Sequence, residues 1–216
     1  MTELDLVADV VRVGSTALSL LRPRDAEALL DEDAFAEDEF LPYWAELWPA
    51  GLALGRALPA QLDGVRVVEV GCGLGVPSLV AAARSAQVTA TDWAAEAVDL
   101  LRVNAARNGL VVDARVVDWR DLEGDFDLAL AADVLYEHRN VEPLLTALPR
   151  LAPEALVALA GRPYEAEFLR RATRRRSRTA SFGFGAAREM APAIGCARPT
   201  SSACEPVESS GCSGRS

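Results

Sequence analysis

Val67 to Trp93 reads VVEVGCGLGVPSLVAAARSAQVTATDW, and the order of residue types in it decides the fold. A short apolar run enters a turn with glycine at positions 71, 73 and 75. Pro77 then opens an apolar stretch of helical length, and a second apolar run ends on an acid, Asp92. Proline suits the first turn of a helix, where its missing N–H leaves no bond unmade. Strand, glycine turn, helix, strand and acid is the layout of a nucleotide cradle.

The same grammar continues downstream. Strands are expected at 66–70, 87–91, 112–117, 127–132 and 155–160, and helices at 77–85, 94–107, 140–150 and 164–174. In the helix at 94–107, Ala97, Leu100, Leu101 and Asn104 recur at helical spacing, and Asn108-Gly109 is a good C-cap. Short apolar strands alternating with helices predict an α/β, doubly wound, mostly parallel Rossmann-like sheet.

Upstream, DLVADVVRVGSTALSLL (5–21) alternates as two strands around a Gly14-Ser15 turn. Asp25 is placed to cap a short helix, DAEALLDE, and an acidic segment runs on to Glu39. A further helix starts near Pro49 and stops before Pro59, with Trp48 held extended by the proline after it. Beyond residue 175 the alternation fails, and the chain turns to Ser, Gly, Pro and Cys. The expected organisation is therefore an N-terminal extension (1–60), a core (61–178) and an irregular or disordered tail (179–216), irregular above all from Pro192 onward.

At 216 residues, half of them apolar and a quarter charged, the chain has the size and balance of one soluble domain. No apolar run approaches the roughly 20 residues that span a bilayer, and the N-terminus has neither a basic n-region nor an apolar h-region. No membrane association and a cytoplasmic location are the expectations. A net charge of −10 argues against a nucleic-acid partner, which needs a basic footprint. All 22 cations are arginine, and lysine is absent. The cysteines, Cys72 in the turn and Cys196, Cys204 and Cys212 in the tail, form no CxxC pair, and His138 is the one histidine. No metal site is expected.

The ligand follows from charge. A phosphate-binding P-loop requires a lysine that this chain lacks, and the dinucleotide fingerprint requires glycine where Val76 stands. Glu69, just before the turn, disfavours a pyrophosphate there, because the N–H groups and dipole of a helix start attract anions. The same carboxylate attracts the ammonium and sulfonium of S-adenosylmethionine (SAM). Gly71, Gly73 and Gly75 let the backbone approach the ligand. Asp92 is placed to accept both ribose hydroxyls, with Trp93 offering a face to adenine. Asp118 and Trp119 end the third core strand, where a carboxylate can accept the adenine amino group. Asp133 and Tyr136 follow the fourth, and Asp133 emerges from a dry strand toward the reacting groups. Trp48 is placed to cover the methionine part, a contact of about 0.5–2 kcal/mol. Tyr43 and Trp44 read as anchors of the N-terminal segment. The plainer alternatives, a tight turn and a solvated strand-end acid, do not explain the acids that recur at successive strand ends.

At EVGCGLG, Asp92, VVDW and AADVLYE the sequence resembles the seven-strand, class I SAM-dependent methyltransferases. The PYWAELWPAG segment and the Asp-Val-Leu-Tyr quartet resemble the protein-lysine methyltransferase branch that includes enzymes acting on the electron-transfer flavoprotein β-subunit. The likeness covers about residues 5–170. It implies SAM bound by Glu69, Gly71, Gly73, Asp92 and Asp118 with Trp48 flanking it, and an acceptor channel lined by Asp133 and Tyr136. It further implies a protein lysine as acceptor, with a small molecule or a ribosomal protein as alternatives, or a non-catalytic SAM-binding scaffold. That family closes its sheet with an antiparallel strand pair. Here residues 181–190 offer one strand and no second is legible.

Overall fold

The computed structural model describes residues 4–26, 29, 42–174 and 178–183. Strands β1 (Leu6–Val13) and β2 (Thr16–Pro23) form an antiparallel hairpin in which Val13 faces Thr16 across the Gly14-Ser15 turn. Helix α1 (Pro49–Ala57) follows, with Trp48 extended at ψ 134° as its N-cap. The core then runs β3 (Arg66–Val70), α2 (Val76–Ala83), β4 (Gln87–Asp92), α3 (Ala95–Arg107), β5 (Asp113–Val116) and β6 (Leu128–Ala132). It continues through α4 (Val141–Leu151), β7 (Glu154–Leu159), α5 (Glu165–Arg174) and β8 (Arg178–Gly183). The expected elements of the core are all present, displaced by at most two residues at an end. Most of the helix expected from Asp25 and the irregular stretch from Pro192 lie outside the described residues.

The six core strands are ordered β5-β4-β3-β6-β7-β8 and run parallel throughout. Strand order reverses between β3 and β6, which is where an open sheet of this kind leaves a crevice at its carboxyl edge. Two strand expectations need correction. Residues 179–183, assigned above to the irregular tail, belong to β8, and the strand sought at 181–190 starts at Arg178 and ends at Gly183. It lies parallel on β7, Glu154 opposite Arg178, and is not the antiparallel closing pair that the resemblance implied. Its start was not legible, because RTASFG lacks the apolar run that marks the other core strands. Backbone pairing on the open edge of β7, a tertiary cause, sets it.

The pleat of β3 sorts side chains into two cores. Val67 packs with Leu130, Val88, Ala90 and the α1–α3 side of the sheet, while Val68 and Val70 pack with Ala129, Ala131, Val157 and the α4–α5 side. Each fully buried Leu or Val adds about 1.5–3 kcal/mol. Glu69 alternates with Val68 and Val70, so its side chain is sent toward the α2 side.

The hairpin is held to the core by two asparagines that stand in for a strand. Asn104 of α3 accepts from Leu21 N–H at 2.7 Å and donates to Leu21 C=O at 2.9 Å. One turn on, Asn108 accepts from Ser19 N–H at 2.8 Å and donates to Ser19 C=O at 2.9 Å. Side-chain amides at helical i,i+4 spacing thereby satisfy alternate residues of the β2 edge. Among the described residues no helix is long and apolar enough to cross a membrane.

Candidate active site

The cleft opens where β3, β4 and β6 end. Gly71, Gly73 and Gly75 take left-handed φ of 64°, 50° and 69°. Two of them show why glycine is required. A Cβ on Gly73 would sit 3.2 Å from the Trp44 carbonyl oxygen, and one on Gly75 would sit 2.4 Å from Leu101 Cδ1. Between them Cys72 is buried, and its N–H donates to Thr91 C=O at 2.9 Å. Burial, with the Asp92 and Glu69 charges behind it, pushes the Cys72 thiol well up, so it is an inert space-filler.

Glu69 is 1% exposed and accepts from Ser78 N–H at 2.9 Å and Ser78 Oγ–H at 2.5 Å, so it caps the first turn of α2 from below. Burial raises its pKa to about 8 against those two bonds, and the Asp92 charge adds to the rise. Asp92 accepts from Gly73 N–H at 2.8 Å and Ala94 N–H at 3.0 Å, tying the glycine turn to the start of α3. Burial pushes its carboxyl up as well, opposed by those backbone bonds.

Asp133, just past β6, is buried and adopts φ +52°, a conformation that costs an ordinary residue about 1–3 kcal/mol. Its N–H donates to Ala158 C=O at 3.0 Å, and its carboxylate faces Arg162. Arg162 donates through Nε to Oδ1 at 2.8 Å and through Nη2 to Oδ2 at 2.7 Å. That pairing raises the Arg162 pKa, so the guanidinium stays charged. The Arg162 Cζ lies 5.6 Å from the Trp48 ring centre.

Aromatic rings close the mouth. Tyr43 lies 4.8 Å from Tyr136 and 6.3 Å from Trp48, centre to centre, and Trp48 Nε1–H donates to Tyr43 C=O at 2.7 Å. Burial, aided by the Asp92 charge, pushes the Tyr136 phenol up to about 12, so it stays protonated at neutral pH. A second cleft adjoins the first and shares Tyr43, Trp93, Trp119 and Tyr136 with it. Asp118 stands in this second cleft, accepting from Arg120 N–H at 2.8 Å. Trp93 is 45% exposed, whereas Trp119 is buried with its indole N–H unpartnered among the described residues.

Every residue singled out in the sequence thus lines one of two adjoining clefts: Trp48, Glu69, the three glycines, Asp92 and Asp133 the first, Asp118 the second, and Trp93, Trp119 and Tyr136 both. Sequence reasoning missed Ser78, Arg162 and Glu165. Ser78 carried a signal, being a polar residue inside an otherwise apolar helix. Arg162 carried a weaker one, in the Gly-Arg-Pro that breaks the chain between β7 and α5.

The donor set fits a cationic ligand. Three buried carboxylates, Glu69, Asp92 and Asp133, converge on one cleft that is open to solvent. The one cation among the described residues lining it, Arg162, is already paired. A polyphosphate would meet acids there and no free positive group. The ammonium and sulfonium of SAM meet the charge they need.

Comparison with known proteins agrees. The sequence model of the lysine methyltransferase family matches residues 36–175, well over half of the chain. The protein-lysine methyltransferase METTL21E of Bos taurus is 33% identical over 135 residues, which cover 54% of this chain and 46% of that protein. The electron transfer flavoprotein beta subunit lysine methyltransferase of Mus musculus is 33% identical over 111 residues, 48% of this chain and 43% of that protein. A ubiquinone biosynthesis O-methyltransferase of Methylocella silvestris is 37% identical over 91 residues, 41% of this chain and 35% of that protein. The chain thus spans between about a third and a half of these relatives' length. Among solved structures, the 16S rRNA N2 G1207 methyltransferase RsmC of T. thermophilus shares the fold at TM-score 0.54 and 19% identity, over 77% of this chain and 45% of that one. With the fold, the two clefts and the family match in agreement, the chain belongs to the lysine methyltransferase family.

Proposed function

We propose that the protein is a SAM-dependent N-methyltransferase whose acceptor is a lysine side chain of another protein. The observation that carries the reading is the position of Asp133. A buried carboxylate held in left-handed backbone shares one cleft with the glycine turn, and Tyr43, Trp48 and Tyr136 wall the approach. SAM supplies an electrophilic methyl group on a cationic sulfur. The chain has to hold the donor, admit the acceptor and see that its nitrogen has lost its proton before transfer.

Glu69, Asp92 and the glycine turn are assigned to the amino-acid and ribose parts of the donor, and Asp118, Trp93 and Trp119 to its adenine. Trp48 covers the methionine end. Asp133 accepts a hydrogen bond from the acceptor nitrogen and fixes the direction of its lone pair. Methyl transfer between two bound reactants is largely a matter of such positioning. An amine with pKa near 10.4 costs about 4 kcal/mol to neutralise at pH 7.5, and desolvation between aromatic walls supplies part of this by disfavouring the charged form. Tyr136, protonated throughout the working range, is a wall and a hydrogen-bond donor rather than a base.

Tritiated SAM incubated with the protein and a cell lysate tests this. A labelled protein whose hydrolysate contains methyl-lysine supports the reading. Label confined to the small-molecule fraction transfers the assignment to a small acceptor. Donor binding without any label makes the chain a SAM-binding scaffold. The resemblance at METTL21E favours a protein acceptor, and the absence of lysine from this chain means that label on it cannot be side-chain lysine self-modification.

A further inference from the structure

In the acceptor end of the cleft, the group that meets Asp133 comes from this chain. Arg162 makes a parallel two-bond fork to the carboxylate, at 2.8 and 2.7 Å, and lies at cation–π distance over Trp48. The Asp133 side chain is only 4% exposed, so it has little access to solvent. Among the described residues lining the cleft Arg162 is the one cation, set against Glu46, Glu69, Asp92 and Asp133.

The placement is built from behind. Glu165, itself buried, accepts from Ala160 N–H at 2.7 Å and from Gly161 N–H at 3.0 Å. Gly161 turns the chain at φ +87°. The backbone joining β7 to α5 is pinned by these bonds, while the Arg162 side chain remains 34% exposed on a long, rotatable stem. A pinned backbone carrying a solvent-reachable side chain can release its head group without unfolding anything.

We infer that Arg162 is an internal occupant of the acceptor subsite: its guanidinium stands where the side-chain cation of an incoming acceptor meets Asp133, and the acceptor enters by exchanging with it. The inference rests on the function proposed above and deepens it. The subsite takes a cation at the end of an unbranched stem, bounded by one carboxylate and the face of Trp48. A guanidinium is a fitting stand-in, because it satisfies both carboxylate oxygens and cannot be deprotonated at any working pH, so it is not itself consumed. The charged groups facing it are Asp133 and Glu165, with the Tyr43 phenol beside them.

The lysine-free sequence makes the test direct. Arg162→Lys places the sole lysine amine of the protein against Asp133. In the step tested, the deprotonated amine nitrogen forms a bond to the methyl carbon of SAM. The carbon–sulfur bond breaks with its electron pair passing to sulfur, S-adenosylhomocysteine leaves, and the new methylammonium gives its extra proton to solvent. At about pH 9, where an appreciable fraction of such an amine is neutral, peptide mass spectrometry is expected to find methyl groups on residue 162 of R162K and none there in the wild type. A second measurement needs no donor. Calorimetry with n-butylguanidinium is expected to show at least tenfold tighter binding to R162A than to the wild type, with the gain lost in the R162A/D133N double variant. No gain with butylguanidinium overturns the inference, and so does an R162K protein that binds SAM normally yet stays unmethylated. Either result leaves the proposed function standing while the wild type labels lysate protein. A wild type that binds no SAM overturns the proposed function instead.

Discussion

With Glu69 in the donor site as proposed, donor binding is coupled to proton release. Its carboxyl is buried and pushed up to about 8 from an ordinary value of 4.5, by burial first. In ligand-free protein about one molecule in a hundred therefore has Glu69 ionised at pH 6, and about one in four at pH 7.5. A cationic donor in the cleft favours the ionised form, so each binding event expels the proton. Where the complex holds Glu69 ionised throughout, affinity for SAM tightens about 25-fold between pH 6 and pH 7.5, roughly 1.9 kcal/mol. Calorimetry in buffers of different ionisation enthalpy measures both the affinity and the protons released, close to one per SAM at the acid end. S-adenosylhomocysteine keeps the ammonium and shows the same trend. Glu69→Gln keeps the shape and the acceptor for Ser78 N–H, and removes the proton. Its pH dependence is smaller by about that 25-fold factor, and what remains belongs to Asp92, which burial pushes the same way. An affinity flat over this range in the wild type, or an equal slope in E69Q, refutes the reasoning.

The same shift sets the direction of stability. Native Glu69 holds a proton that the unfolded chain has lost above pH 4.5, so its contribution is full below that pH and disappears as the pH rises through about 8. The melting temperature of ligand-free wild type minus that of E69Q is expected to fall from pH 5.5 to pH 8. Asp133→Asn is expected to cut methyl transfer at least 100-fold, about 2.7 kcal/mol or more, while SAM affinity stays within about threefold; parallel loss of both would move Asp133 into the donor site. Gly75→Ala combines a left-handed φ with a Cβ 2.4 Å from Leu101, whereas Gly14→Ala has the same φ problem with nothing within 4 Å. Urea unfolding should show losses of about 2–4 kcal/mol and about 1 kcal/mol respectively, and equal losses would remove the packing argument. Asn104→Ala strands a backbone donor and acceptor on β2, costs about 2–3 kcal/mol, and should expose the hairpin to protease before the core opens.

The sheet and the gathering of acids at its carboxyl edge were legible because their causes are local. Short apolar runs, Pro77 at a helix start and alternating glycines each act over a few residues, and strand ends then bring Glu69, Asp92, Asp118 and Asp133 to one edge whatever the rest of the chain does. Their partners were not legible, because those are tertiary. Glu69 was read as an acid facing the ligand, but the β3 pleat also sends it beneath α2, where Ser78 holds it. Asn104 passed as one more residue on a buried helix face, and only the docked hairpin reveals its amide as a strand substitute. Arg162 lies 29 residues beyond Asp133 in a loop whose shape depends on Glu165 reaching back to Gly161. Spacing carries no trace of that. β8 was read only in part: a strand was expected at 181–190, and pairing along the edge of β7 starts it at Arg178 instead.

Those bonds divide the cleft into two halves that differ in kind. Glu69 and Asp92 are committed to backbone N–H groups of α2, the glycine turn and the α3 start. Neither can move without disturbing helices that the core holds in place, so the donor end is preformed and its cost of ordering falls on folding rather than on binding. Among the described residues the Asp133 carboxylate is committed only to a side chain, and one that solvent can receive. Breaking a buried ion pair from one side is expensive unless a second cation arrives in the same motion, because the uncompensated carboxylate would otherwise cost about 3–5 kcal/mol. Exchange of Arg162 for an acceptor cation meets that condition, whereas entry of a neutral or anionic acceptor does not. On the proposed assignment, the contrast between a fixed donor end and an exchangeable acceptor end acts as a filter, in which the residue paired with Asp133 between turnovers also sets the charge of what replaces it.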